Sequence, residues 1–206
     1  MRRVLRFATL AVLAVLAASA PAAAADVWQI DGAHSAVQFK VTHLMIATVR
    51  GEFGKLTGTI EYDGTNPASI KADVTIDVST VNTREPKRDE HLKSADFFDV
   101  AKHPTATFKS KQAVAGTAGT VKLVGDLTLR GVTKEVTLEI TGPTQVITDP
   151  RGNRKVGATA TAKINRQDFG VAWNKTLDAG GVVVSDEVVL TIDIEAGRKP
   201  DAPAAK

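Results

Sequence analysis

Apolar residues at every second position run through most of this chain, and no other feature limits its fold as strongly. From Ser69 onward the even positions Ile70, Ala72, Val74, Ile76 and Val78 are apolar, while Lys71, Asp73, Thr75 and Asp77 between them are polar. Successive side chains of a β-strand point to opposite faces, so this is a strand with one buried face. The period recurs at Val37, Phe39 and Val41; at Leu56, Gly58, Ile60 and Tyr62; and from Ala106 and Phe108. It returns at Val121, Leu123, Leu127 and Leu129, at Val136, Leu138 and Ile140, at Ala158, Ala160, Ala162 and Ile164, and at Val188, Leu190, Ile192 and Ile194. Turn-forming stretches at 63–67, 115–119, 130–134 and 149–153 separate the runs. About eight long, mostly antiparallel strands follow, which must bury one face by closing into a barrel or by packing as two sheets.

Two segments break the period. Pro86 suits a first helical turn, and PKRDEHLKSA predicts a helix over 86–95. A second, shorter helix is expected over 44–48. Phe53 and Leu56 differ in parity, which predicts a bulge around Gly54. Neither helix fits a βαβ pattern, so a parallel sheet is not expected.

Residue size bears on what the interior holds. An eight-stranded barrel is just wide enough for its side chains to fill, or to hold one ligand. Here Ala158, Ala160, Ala162, Ala72, Ala106, Gly58 and Gly125 occupy inward positions. Either large residues oppose them or a cavity remains, because interiors otherwise pack densely.

The N-terminus reads as a secretory signal peptide, 1–25. MRRVLR is basic, FATLAVLAVLAASA is apolar but too short to span a bilayer, and Ala23-Ala24-Ala25 offers a cleavage site before Asp26. The formal charge of +3 resides in Arg2, Arg3 and Arg6; without them 23 basic residues face 23 acidic ones. A chain with no excess positive charge gives no ground for nucleic-acid binding. Cysteine is absent, which excludes a disulfide framework, a thiol nucleophile and a lipoprotein anchor. The tail 197–206 is small, polar and proline-containing, and is expected to be disordered. One domain over 26–196 is expected between these ends.

Four stretches resemble the YceI-like proteins: DGAHSAVQFKVTHLMIATVRGEF (31–53), RDEHLKSADFFDVAKHPTATF (88–108), GDLTLRGVTKEVTLEI (125–140) and INRQDFGVAW (164–173). The resemblance covers Val27 to Ala196. It implies an all-β, extended, lipocalin-like antiparallel barrel that binds polyisoprenoids or similar long-chain amphiphiles, in a protein exported to the periplasm and without established catalysis. The partner it implies is a polyisoprenoid, an isoprenoid quinone or a fatty-acid-like lipid. Transient membrane contact and a homodimer are compatible with it, and no cofactor is expected. A stress-protective or interaction protein without an obligatory ligand is the alternative.

The expected apolar lining is Phe39, Val41, Met45, Phe53, Val74, Phe97, Phe98, Phe108, Ala160 and Trp173. His43 shares parity with Phe39 and Val41 and is expected at the mouth. Arg50 is expected either to meet an anionic headgroup bidentately or to pair with Glu52 at the surface. Of Phe97 and Phe98, one is expected to plug the barrel end and the other to line the pocket or pack beneath the helix. His91, among charged neighbours on the helix, reads as solvated or capping. The four histidines (34, 43, 91, 103) show no metal-binding spacing, and no G-x-S-x-G elbow accompanies Ser35 or Ser94. NRQDFG (165–170) is expected to form a corner through Asn165 or Asp168 and Gly170, with Trp173 near a barrel end.

Overall fold

The computed structural model describes residues 25–117, 119–178 and 180–198. Residues 1–24, where a signal peptide is expected, and the expected tail beyond Arg198 lie outside these. The strands are β1 (Asp26–Ile30), β2 (Ala36–His43), β3 (Ala47–Phe53), β4 (Leu56–Tyr62), β5 (Lys71–Asp77), β6 (Val81–Asn82), β7 (Thr105–Ala115), β8 (Thr120–Leu129), β9 (Val132–Thr141), β10 (Ile147–Thr148), β11 (Arg154–Asn165) and β12 (Glu187–Arg198). One α-helix, α1 (Pro86–Lys93), lies between β6 and β7.

Twelve segments make an eight-stranded wall because several are halves of one long strand. β12 pairs with β1 at Ala196 and Gly197 and with β2 from Val189 to Asp193. β4 continues β3 in the same way, pairing with β1 where β3 pairs with β2. The order then runs β4-β5-β7-β8-β9-β11, and β11 returns to β12 through twelve residue pairs from Arg154↔Arg198 to Asn165↔Glu187. That last ladder closes an antiparallel barrel, and β6 and β10 are short additions to its wall. Closure satisfies the strand edges.

The expected inner faces are buried. Trp28, Leu56, Leu123, Phe169 and Val78 are the largest side chains fully withdrawn from solvent. The Trp28 indole N–H donates to the Tyr62 carbonyl at 3.0 Å, so its polar tip is satisfied inside the core. Two of the small inward residues are explained by close approach. A Cβ on Gly125 would collide with the Phe108 ring, and one on Gly51 with Phe39.

Four local expectations differ from the structure. α1 ends at Lys93, where the Ser94 N–H bonds the His91 carbonyl. Residues 44–48 form no helix: β2 and β3 are a hairpin whose turn is Leu44 to Ile46, with Leu44 and Met45 at φ 51° and 63°. The ladder from Val37↔Phe53 to His43↔Ala47 overrides the weak helical signal there. Gly54 is not a bulge but part of the connection between β3 and β4, which resolves the parity change; the register shift instead falls between Ser110 and Gln112 in β7. β12 also runs two residues past the expected domain end, because Gly197 pairs with Gln29 and the Arg198 guanidinium stacks 5.3 Å from the Trp28 ring. The 165–170 corner forms as expected. Asn165 Oδ1 accepts from the Gln167 N–H, and Gly170 closes the turn at φ 71°, a conformation only glycine adopts freely.

On the outer face, the Lys155 ammonium bridges Asp31 and Glu195 at 2.8 Å each, with His34 3.1 Å from Asp31. Asp31, His34 and Glu195 have the geometry of a metal triad, but the ammonium already supplies their countercharge. Hydrogen bonds from Lys155, then His34, hold the Asp31 carboxyl well below its ordinary 3.8. Asp31 in turn holds the Lys155 ammonium well above 10.5. A carboxyl with a depressed folded pKa stabilises the fold above its unfolded pKa and loses that contribution as pH falls. The melting temperature is therefore expected to drop on acidification below about pH 4. Lys155→Met is expected to melt lower at neutral pH, with the gap to the wild type narrowing as the buffer is acidified; a gap constant with pH would contradict the assignment.

Candidate functional site

Two cavities occupy the barrel. The inner one, about 130 Å³, is lined wholly by apolar side chains, among them Ala72, Val74, Phe108, Ala158, Ala160 and Ile192. The outer one, about 280 Å³, lies where α1 and the segments after it cover the barrel end. Leu190 borders both. The alanines of β11 stand beside large partners on β12, with Ala158 opposite Ile194 and Ala160 opposite Ile192. These aliphatic neighbours do not fill the space in front of the alanines.

Phe39, Val41, Phe53, Phe97, Phe98, Trp173 and His43 line the outer cavity. Val74, Phe108 and Ala160 line the inner one. Both phenylalanines of the covering segment contribute, from different sides. Phe97 is buried and packs its ring on Trp173, with centroids 5.2 Å apart. Phe98 meets Phe53 edge-on at 5.6 Å, and Phe53 meets Phe39 at 5.6 Å. The positive φ of Asp99 (49°) accompanies this double inward turn.

Two expected residues fall outside the cavities. Met45 is in the hairpin turn and 59% exposed. Arg50 points away from the interior because Val49 and Gly51 flank it on the inward parity. It lies across from Lys40 in a shallow polar groove that also holds Glu52.

Three polar side chains at the mouth were not anticipated. Arg166 lines the outer cavity at 4% exposure, although most buried arginines need a visible partner. It donates to the carbonyls of Val171, Trp173, Ser185 and Val184 at 2.6, 2.8, 3.0 and 3.4 Å, and to Asp186 at 3.0 Å. Burial pulls its guanidinium below the usual value, and Asp186 opposes this. Arg88 reaches the cavity from α1, held by Nε to the Thr83 hydroxyl at 2.7 Å and Nη2 to the Thr83 carbonyl at 2.8 Å. His91 is half solvated, as expected, with 42% of its side chain exposed, but it also forms part of the wall: its ring stands edge-on to Phe97 and Trp173 at 5.0 and 5.2 Å, and its Nε2 is 2.8 Å from Asp96. Arg130 ties the cover down, donating to the carbonyls of Gly170 and Ala95.

Neither serine forms a nucleophile–base pair. The Ser35 hydroxyl donates to the Glu195 carbonyl and accepts from its N–H, and the Ser94 hydroxyl donates to the His91 carbonyl. Among the described residues, no helix is long and apolar enough to cross a membrane.

A family model described as a YceI-like domain matches residues 28–196. A UPF0312 protein of Staphylococcus aureus (strain N315) is 37% identical over 167 residues, covering 80% of this chain and 94% of its own. Among solved structures, the Campylobacter jejuni YCEI protein aligns with a TM-score of 0.66 at 33% identity, covering 77% of this chain and 90% of that one. Burkholderia cenocepacia BcnA aligns at 0.68 with 23% identity, covering 81% and 98%. A domain from Saccharophagus degradans, described as polyisoprenoid-binding, aligns at 0.58 with 19% identity, covering 82% and 97%.

Proposed function

Since this chain belongs to the YceI-like family, we propose that it is an exported, periplasmic binding protein that holds a polyisoprenoid or similar long-chain amphiphile in its barrel, for transport, storage or sequestration, and that it is not an enzyme. The observation that carries this reading is the inner cavity with no polar side chain in its lining. Such a space rejects anything that needs hydrogen bonds and accepts an alkyl or prenyl tail. The tail lies along Val74, Phe108 and Ala160, then between Phe39, Val41, Phe53, Phe97, Phe98 and Trp173. Its headgroup meets His43, Arg88 and His91 at the mouth. The relative from Saccharophagus degradans described as polyisoprenoid-binding supports the ligand class.

The energetics favour a carrier over a trap. Burying a tail stabilises by about 0.8 kcal/mol per methylene taken from water. A tail of several tens of carbons would formally pass the practical ceiling near −20 kcal/mol. In a cell the tail starts in a membrane, already out of water, so transfer into the barrel gains little net free energy. Tail length then sets what fits, and the mouth sets which headgroup is preferred.

The test is organic extraction and native mass spectrometry of protein purified without detergent. A co-purifying prenyl or acyl lipid, or uptake of one by empty protein, is the expected result. Repeatedly empty protein that takes up neither would point to the interaction-protein alternative.

A further inference from the structure

The turn between β2 and β3 carries Leu44, Met45 and Ile46 into solvent with 37, 59 and 86% of their surface exposed. No charged residue occurs from Leu44 to Val49. Leu44 and Met45 both hold positive φ, a pair of positions where hairpins normally use Asn and Gly. Leucine and methionine are poor residues for the turn itself, and backbone strain of this kind collects where a side chain has a task.

We propose that this tip inserts into the surface of an anionic lipid bilayer and brings the cavity mouth onto it. The insertion site stands on the hairpin geometry alone; the transfer of lipid through it rests on the reading above. The tip adjoins the cavity, because His43, Val49, Val183 and Val184 beside the turn line the mouth. The Leu44 N–H donates to the Val183 carbonyl at 2.8 Å and the Ile46 N–H to the His43 carbonyl at 3.1 Å. These bonds satisfy turn amides that would otherwise resist leaving water. Behind the tip, on the outer face, Lys40, Arg50 and Arg84 surround one groove whose lining includes a single carboxylate, Glu52.

Lys40 stands directly across the ladder from Arg50, an arrangement of like charges that costs stability in an isolated hairpin. It is favourable against anionic headgroups. Three ladder rungs separate that pair from the turn, roughly 10 Å at strand spacing. An apolar face sunk about 5–10 Å into the headgroup boundary therefore sets these cations at phosphate level. The adjoining loop adds Lys175 and Asp178, which balance, and Asp186, which Arg166 pairs at 3.0 Å. The tip is too small for a dimer contact: its exposed area is on the order of a few hundred Å², against about 800 Å² per partner in stable interfaces.

The test is co-sedimentation with vesicles of phosphatidylcholine mixed with phosphatidylglycerol, using the protein as cells accumulate it. The wild type is expected to partition onto these vesicles, less so in salt. The double variant Leu44→Asn, Met45→Gly is expected to lose about tenfold or more of that binding. Its melting temperature should hold or rise, since Asn-Gly suits the turn. Lys40→Gln with Arg50→Gln is expected to remove most of the salt dependence. Equal sedimentation of wild type and turn variant, or none with anionic vesicles, overturns the proposal. So does a wild-type dimer in sedimentation velocity that the turn variant dissolves without any vesicle binding. Uptake of farnesol from water, measured in parallel, judges the cavity separately: its absence in the wild type would refute lipid binding and leave the vesicle result to decide the tip.

Discussion

Arg166→Met is expected to destabilise the protein by about 3 kcal/mol or more, the range seen when one partner of a buried charged network is removed. At this chain length that corresponds to roughly 10 °C in melting temperature. Methionine replaces the bulk of the side chain but none of its donors. The carbonyls of Val171, Trp173 and Ser185 then lose the guanidinium that joins them, whereas that of Val184 keeps the Asn174 amide at 2.8 Å, and each buried acceptor left unpaired costs about 1–3 kcal/mol. Asp186 is 42% exposed and can turn to water, so it adds little to the loss. Arg166→Lys is expected to recover only a small part, because one ammonium cannot span four carbonyls on two chain segments. Denaturant unfolding followed by tryptophan fluorescence and circular dichroism measures the change. A loss below about 1 kcal/mol would mean that water replaces the guanidinium and that the residue is not structural.

The consequence for function lies in what those carbonyls belong to. Val171 and Trp173 follow the corner after β11, and Val184 and Ser185 precede β12. Arg166 thus holds together the two ends of the loop that forms one side of the cavity mouth. Arg130 does the same for the covering segment after α1. Guanidinium–carbonyl bonds shape the mouth together with isolated backbone bridges such as His43↔Val184, and apolar side chains such as Trp173 and Phe97 face inward.

The barrel wall was legible because its signal is local and repeated. Each strand carries its own period, and even the ladder that closes the barrel joins two segments, 158–164 and 188–194, whose inward faces read directly from parity. Most of the apolar lining followed for the same reason. What failed was what periodicity cannot see. Residues 44–48 read as a short helix with Met45 in the lining, but a two-strand ladder folds Leu44 to Ile46 into an exposed turn. Arg166 sits in a stretch readable as a corner, yet its burial depends on carbonyls up to nineteen residues away. His91 is solvated on one side, as its neighbours in sequence suggest; the wall contacts on its other side, with Phe97 and Trp173, come from beyond the helix. The choice between filled and hollow interiors divided residue by residue. Gly125 and Gly51 are small because Phe108 and Phe39 occupy their space, whereas Ala158 and Ala160 front an open one.

That division gives the second large effect. Ala160→Leu is expected to leave stability unchanged or raised while cutting affinity for long-chain ligands by roughly fiftyfold. Ala160 borders the inner cavity, so three added carbons enter empty space and gain burial without forcing neighbours apart. They also take the room of about three ligand methylenes, each stabilising by ~0.8 kcal/mol, or about 2.4 kcal/mol together. A ligand too short to reach the inner cavity should bind as before. Ala162→Leu is the internal contrast. Ala162 lies on the same face of β11, opposite Leu190, and is 8% exposed like Ala160, but it borders neither cavity. The same added carbons there meet packed side chains and are expected to cost about 1–3 kcal/mol. Melting curves separate the two alanines, and competition between prenyl alcohols of different length measures the lost depth. If Ala160→Leu destabilises as much as Ala162→Leu, the inner space is closed in solution. The chain would then be a filled barrel whose binding, if any, is confined to the mouth.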